Sequence, residues 1–308
     1  MRKPSLLATA AVCLAASSAY GVVLVDDTFS DTDRIGGLNG SSTTTTTTIN
    51  TPTSTNTQWI GTRASQEVAS ATGMLWTLDA SSRLITGYFP TVNLVEGTTT
   101  SFTLNFTTGS LGTGLSNGLR IALTNDGGVG GIDNTDVIGS TSATYVGDVG
   151  YAFFNSGGNV GGTDAPANVG LTTYQRTDLT SNNILGTGAN WTSIGSSAGS
   201  TGNFGANTAY SMVFAFDYTG TQTTITTSVT GGNFTDLSYS IVDTTDLVTA
   251  FSQFSFRLAT GNAQFATVNF TGFKVEQVSA VPEPSAFAAL AGISVLGLAA
   301  TRRRRTGS

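Results

Sequence analysis

The stretch NDGGVGGIDNTD, Asn125 to Asp136, sets Asp126, Asp133, Asn134 and Asp136 around flexible glycines. Hard oxygen ligands on a loop that can bend around an ion are what Ca2+ takes, so these four residues form a candidate calcium set. Their spacing departs from that of an EF-hand, and a solvated turn of Asp and Asn explains the same residues. DDTFSDTD, with Asp26, Asp27, Asp31 and Asp33, has a lesser claim, because Asp beside a strand end also serves as a turn former. Trp59, behind a Thr-rich tract, and Trp191, within GANWTSIG, are the residues that could stack on a sugar; packing against a sandwich edge is their competing role. Trp76, in GMLWTLD, alternates as a core residue does.

Other chemistry is excluded by residue type. The chain has no histidine and its one cysteine, Cys13, lies in the N-terminal stretch. Disulfides, the usual zinc sites, Cys nucleophiles and Ser-His-Asp triads are therefore absent. Glycoside hydrolysis asks for two facing carboxylates, and Glu67, Glu96 and Glu276 fall in no strand pattern that would pair them. No catalytic residue is assigned, and the chain reads as a non-enzyme. Calcium is the single cofactor the sequence leaves open.

Charged residues make up only 10% of the 308, and the formal net charge is -6. Arg2, Lys3 and Arg302 to Arg305 lie at the ends, which leaves 18 acids against 7 bases in the middle. A body of that balance repels phosphates, so nucleic acid is not an expected partner. Neutral glycans and divalent cations suit it better.

The ends have their own logic. Arg2 and Lys3 precede LLATAAVCLAASSAYG, a charged region, an apolar run and small residues, which is the pattern of a signal peptide over residues 1–21. Cleavage by signal peptidase is expected after Ala19 or Gly21. At the other end, residues 281–305 read VPEPSAFAALAGISVLGLAATRRRR. Pro282 and Pro284 hold the chain extended, and Ala286 to Ala300 is an uncharged run that can just cross a bilayer as a short helix. Arg302, Arg303, Arg304 and Arg305 act as a stop-transfer block and keep that end cytoplasmic. The body is then expected on the far side of the inner membrane.

Pro282-Glu283-Pro284, the short apolar helix and the terminal arginines together resemble the PEP-CTERM sorting signal of exported bacterial proteins. The resemblance implies exosortase as a partner, cleavage near Pro-Glu-Pro, a transient membrane anchor, and a mature protein at the cell surface or outside the cell.

Between the ends, residues 22–280, short alternating runs are divided by Gly, Asn, Asp and Ser clusters, as in an antiparallel all-β protein. Phe102, Leu104 and Phe106 share a face, as do Leu119, Ile121 and Leu123; Met212, Phe214, Phe216 and Tyr218; and Phe254, Phe256 and Leu258. Phe265, Val268 and Phe270 alternate until Gly272 shifts the phase to Phe273 and Val275, where a bulge is expected. No run has the period of an amphipathic helix. The low-complexity tract Gly40 to Gln58 is expected to be disordered or a solvent-facing loop.

Runs of strands without helices imply two packed sheets or a closed barrel. The order of LVDDTFSDTDR, LVEGTTTSFTLNFTTG, NGLRIALTNDGG, AYSMVFAFDYTGTQTTITTSV and FSQFSFRLATGNAQFATVNFTGFKVEQV resembles the concanavalin-like, or LamG-type, jelly-roll β-sandwich. The expected architecture is an antiparallel jelly-roll β-sandwich between a signal peptide and one short C-terminal transmembrane helix. The expected function is that of an exported, exosortase-processed surface or extracellular-matrix protein associated with exopolysaccharide and biofilm, a link the sorting-signal resemblance supplies. The alternatives are a concanavalin-like glycan-binding module assisted by calcium, and a polysaccharide-active enzyme.

Overall fold

The structure is a computed structural model that describes residues 21–29, 58–61, 67–70, 72–77, 84–110, 119–126, 143–156, 170–185, 190–197, 204–232, 234–258 and 266–279. These residues form fifteen strands in two sheets, with one 3-10 turn at Ala143–Tyr145. The antiparallel all-β chain expected from the alternation, and the jelly-roll sandwich that the resemblance implies, are the fold observed, and every register described is antiparallel.

The eight-stranded sheet contains β1 (Gly21–Asp27), β3 (Glu67–Ser70), β4 (Gly73–Thr77), β6 (Thr98–Thr108), β11 (Ala209–Tyr218), β12 (Thr223–Gly231), β13 (Phe234–Asp243) and β15 (Thr267–Ser279). Its order is β13-β12-β11-β6-β15-β4-β3. β4 pairs with Thr267 to Phe270 of β15 and β1 with Phe273 to Val278, so two short strands share one long partner. The seven-stranded sheet has the order β10-β9-β8-β7-β14-β5-β2. Its members are β2 (Gln58–Gly61), β5 (Leu84–Asn93), β7 (Leu119–Asn125), β8 (Val149–Ser156), β9 (Gly170–Arg176), β10 (Trp191–Ser196) and β14 (Ala250–Leu258).

The core lies between the sheets and is built largely of rings, because alternate positions of each strand point inward. Phe153 of β8 stacks on Phe214 of β11 at 4.1 Å between centroids, Phe102 of β6 meets Phe251 of β14 at 5.3 Å, and Phe89 of β5 meets Phe273 of β15 at 5.5 Å. The phase shift expected at Gly272 is present: Thr271 and Gly272 both face away from the core between buried Phe270 and Phe273. LVDDTF enters as the β1 edge, and the hairpin read from AYSMVFAFDYTGTQTTITTSV is β11–β12. β14 and β15 do not pair with each other. They belong to opposite sheets.

Proline and glycine mark where the ladder must give way. Pro90 lies inside β5, where a ring without an N–H would interrupt a regular ladder. The register answers this: Phe251 faces Val92 while Gln253 faces Tyr88, so three residues of β5 bulge opposite Ser252. At Gly87 a Cβ would lie 2.8 Å from the Trp59 ring, so the bare backbone is what lets the indole lie flat on β5.

β14 departs from the half-buried pattern. Every residue from Phe251 to Arg257 is buried, although Phe254 and Phe256 alone of the Phe254–Arg257 stretch face the main core. Its other face meets a second apolar layer, in which Leu84, Ala122, Ala152, Phe154 and Trp191 of the sheet pack with Tyr145, Ile184 and Leu185. The middle of the seven-stranded sheet, around β14, β7 and β8, is thus buried on both sides.

Candidate functional site

The two tryptophans proposed for sugar stacking are both packed. Trp59 is 2% exposed, lies against Phe270 and Phe273, and donates from Nε1 to Asp27 Oδ2 at 2.9 Å. Trp191 is 4% exposed, roofs the second apolar layer, and donates from Nε1 to the Ile184 carbonyl at 2.8 Å. Neither presents a ring to solvent, so the packing role is the one the fold uses. Trp76 is fully buried in the core.

Of the four residues in the candidate calcium set, Asp126 is described; Asp133, Asn134 and Asp136 lie outside the described residues. Asp126 closes β7, where its backbone N–H donates to Ser252 Oγ at 3.2 Å. Among the described residues no group of three acidic, His or Cys side chains is gathered as a metal would need. In the lesser acidic stretch, Asp27 works as a turn former: Oδ1 accepts the Phe29 N–H at 2.8 Å while Oδ2 holds Trp59, and Phe29 takes a left-handed φ of 53°. Ala19, the Thr-rich tract before Gln58, Pro282, Glu283, Pro284 and Arg302 to Arg305 also lie outside the described residues; Gly21 begins β1.

The charged chemistry sits elsewhere, in the layer over the outer face of the seven-stranded sheet. Arg176, at the end of β9, is 5% exposed; its Nη2 donates to the Tyr145 and Ser181 carbonyls at 2.6 and 2.7 Å, and its guanidinium lies 5.9 Å from the Trp191 ring centroid. Asp148, fully buried before β8, brings Oδ2 to 3.9 Å from Arg176 Nη1, an ionic contact too long for a hydrogen bond. Neither Asp148 oxygen has a hydrogen-bond partner. Burial pushes the Asp148 carboxyl up to about 7, against the attraction of Arg176 and with a further push from Asp126.

A carboxyl near 7 beside a second carboxylate is the electrostatic pattern of an acid/base pair. Here it is sealed beneath the Tyr145 and Ile184 segments with no exposed atom, and a group that performs hydrolysis must touch its substrate. The arrangement ties the covering segment to the sheet.

The same face holds hydroxyl pairings that sequence alternation assigns to solvent. Thr86 Oγ1 lies 3.2 Å from the Tyr145 hydroxyl and 3.0 Å from Ser255 Oγ, and Thr124 donates to Gln253 Oε1 at 3.2 Å. Arg120 donates to the Leu185 carbonyl at 2.8 Å and lies over Phe154.

The outer face of the eight-stranded sheet is the opposite case, polar and open. Register aligns Thr103, Val213, Ser228 and Ser238 in one row; Ser101, Ala215, Thr226 and Ser240 in the next; and Thr99, Asp217, Thr224 and Val242 in a third. Strands stand about 4.8 Å apart, and the hydroxyls of this grid come from β6, β12 and β13, while β11 sets Val213, Ala215 and Asp217 between them. Asp217 is the sole charge in these three rows. Nothing in the sequence beyond the Thr and Ser alternation of β6 and β12 marks this face.

No protein-family model matches the sequence, and no curated protein matches it. Solved structures that it is similar to include peanut lectin with a nine-residue peptide, at 10% identity and a TM-score of 0.46, covering 84% of this chain and 98% of the lectin. Another is the lectin of Bauhinia forficata in complex with GalNAc, at 12% identity and a TM-score of 0.42, covering 86% of this chain and all of the lectin. A third is the exoplasmic domain of VIP36 with Ca2+ and mannose, at 16% identity and 0.43, covering 71% of this chain and 82% of that domain. The sandwich assignment stands on the strand pairing described above.

Proposed function

We propose that this chain is a non-catalytic β-sandwich protein that binds neutral polysaccharide through the outer face of its eight-stranded sheet, and that it does so outside the cell. The observation that carries the reading is the set of hydroxyls that β6, β12 and β13 present on this grid, nearly free of charge on a body that is otherwise acidic. Sugar hydroxyls exchange hydrogen bonds with Thr and Ser at little cost in desolvated charge, and a repeating polymer meets a repeating face at several points at once. With Trp59 and Trp191 buried, binding depends on these hydroxyls and not on stacking on either indole.

Pull-down of the full chain on insoluble and soluble neutral polysaccharides tests this, with Thr226→Lys and Ser240→Lys as variants. Both positions are surface-facing, and Thr226 and Ser240 share a 2.7 Å hydrogen bond across β12 and β13. Binding that falls at least tenfold in both variants supports the reading. No binding to any neutral polysaccharide, or binding that both variants retain, overturns it. Adding and chelating Ca2+ in the same assay tests the calcium set of Asp126, Asp133, Asn134 and Asp136.

The location rests on the sequence ends. The signal peptide delivers the chain across the inner membrane, and exosortase processes it at Pro282-Glu283-Pro284, leaving a surface or matrix protein associated with exopolysaccharide. Replacement of those three residues by alanine should leave an unprocessed, membrane-held form in a host with an exosortase. Unchanged processing and location would end this part of the reading while leaving the sandwich's binding untouched.

A further inference from the structure

Arg257 is the one described side chain whose charge the fold buries without answering. It sits on the outer face of β14, is 3% exposed, and neither Nε nor Nη1 has a hydrogen-bond partner. Its cross-strand neighbours are Leu84 on β5 and Arg120 on β7. Arg120 is itself fixed, donating to the Leu185 carbonyl and lying 5.2 Å from the centroid of Phe154. Register therefore sets the two arginines side by side, near enough for their charges to repel, with Arg120 lying against Phe154 and Leu185.

An arginine does not shed its proton to escape such a place, and a buried cation beside a like charge costs several kcal/mol unless something neutralises it. Among the described residues Asp148 is the buried carboxylate of this layer, and its ionic contact is with Arg176. Burial and the neighbouring Arg120 charge push the Arg257 guanidinium down to about 10, the direction expected of a cation that lacks a counter-charge.

We propose that Arg257, with Arg120 beside it, holds a small oxyanion between the seven-stranded sheet and the segment carrying Leu185. An inorganic sulfate and the carboxylate of an acidic sugar share the required chemistry, three-dimensional acceptor capacity and one or two negative charges. This site lies on the opposite sheet from the hydroxyl grid and is independent of the neutral-polysaccharide reading.

The test is calorimetric titration of the full chain, purified in detergent at low ionic strength, with sodium sulfate and separately with sodium glucuronate. One saturable site per chain is expected for at least one of them, weakened about tenfold or more by Arg257→Gln and by Arg120→Gln. Binding of sulfate alone identifies a free inorganic anion as the occupant, and binding of glucuronate identifies a carboxylate ligand; either supports the site. In case the variants fail to fold, crystals of the unaltered protein soaked in selenate give a second measurement, with an anomalous peak expected between the two guanidinium groups. Absence of saturable binding together with absence of that peak overturns the proposal. So does binding that is equally strong in a folded Arg257→Gln variant.

Discussion

Replacing Asp148 by asparagine should abolish a dependence of stability on pH that the unaltered protein shows between pH 5 and 8. The chain has no histidine, so no side-chain type in it has its ordinary pKa between pH 5 and 7.5. The buried Asp148 carboxyl, pushed up to about 7, titrates there. A group whose folded pKa is raised above its unfolded value binds its proton more tightly in the folded state. Its stabilising contribution is complete below the unfolded value near 3.8 and is lost as pH rises through about 7. At about 1.4 kcal/mol per pH unit, the loss between pH 5 and 8 comes to roughly 2 to 3 kcal/mol. Urea unfolding of both proteins at pH 5, 6, 7 and 8 measures it. The unaltered protein should lose that amount over the series, while Asp148→Asn should stay level within a few tenths of a kcal/mol. A level curve for the unaltered protein, or an unchanged slope in the variant, would refute the placement of Asp148 as a sealed, poorly partnered carboxyl.

Arg176→Met removes the donor to the Tyr145 and Ser181 carbonyls and strands Asp148, so it should cost about 3 to 5 kcal/mol at pH 8, and less at pH 5 where Asp148 is protonated. Gly87→Ala places a methyl 2.8 Å from the Trp59 ring; overpacking of about 1 to 3 kcal/mol and altered tryptophan fluorescence are expected. Thr86→Val withdraws the hydroxyl shared with Tyr145 and Ser255 and should cost about 1 to 3 kcal/mol in the same unfolding assay, a loss absent from Thr224→Val on the open face.

The main core was legible because phenylalanines at alternate positions declare a face. Phe102 to Phe106, Met212 to Tyr218 and the phase shift after Phe270 follow from period two alone. The second layer was not. In LRIALT and FSFRL, Arg120 and Arg257 occupy the positions that alternation assigns to water, and only a distant segment folding back makes those positions interior. Gln253, Ser255 and Thr86 were hidden for the same reason. The apolar pair Ile184-Leu185 in an otherwise polar loop, followed by Trp191, is the signal that a cover existed. It does not say which strands it covers, because that depends on contacts far apart in sequence. Trp59 and Trp191 misdirect in a related way: an aromatic in a loop reads as exposed until a glycine such as Gly87 makes room for it.

β15 has a consequence for how the chain comes to be folded. It is the last strand described, yet it completes one side each of β6 and β4 and is the described partner of β1. The first strand must wait for the last, and a chain interrupted before Thr267 would present three bare edges, each a template for intermolecular pairing. Completion is thus close to all-or-none. Partial products are marked by their sticky edges for aggregation or proteolysis, and only a fully delivered chain becomes a closed, inert sandwich.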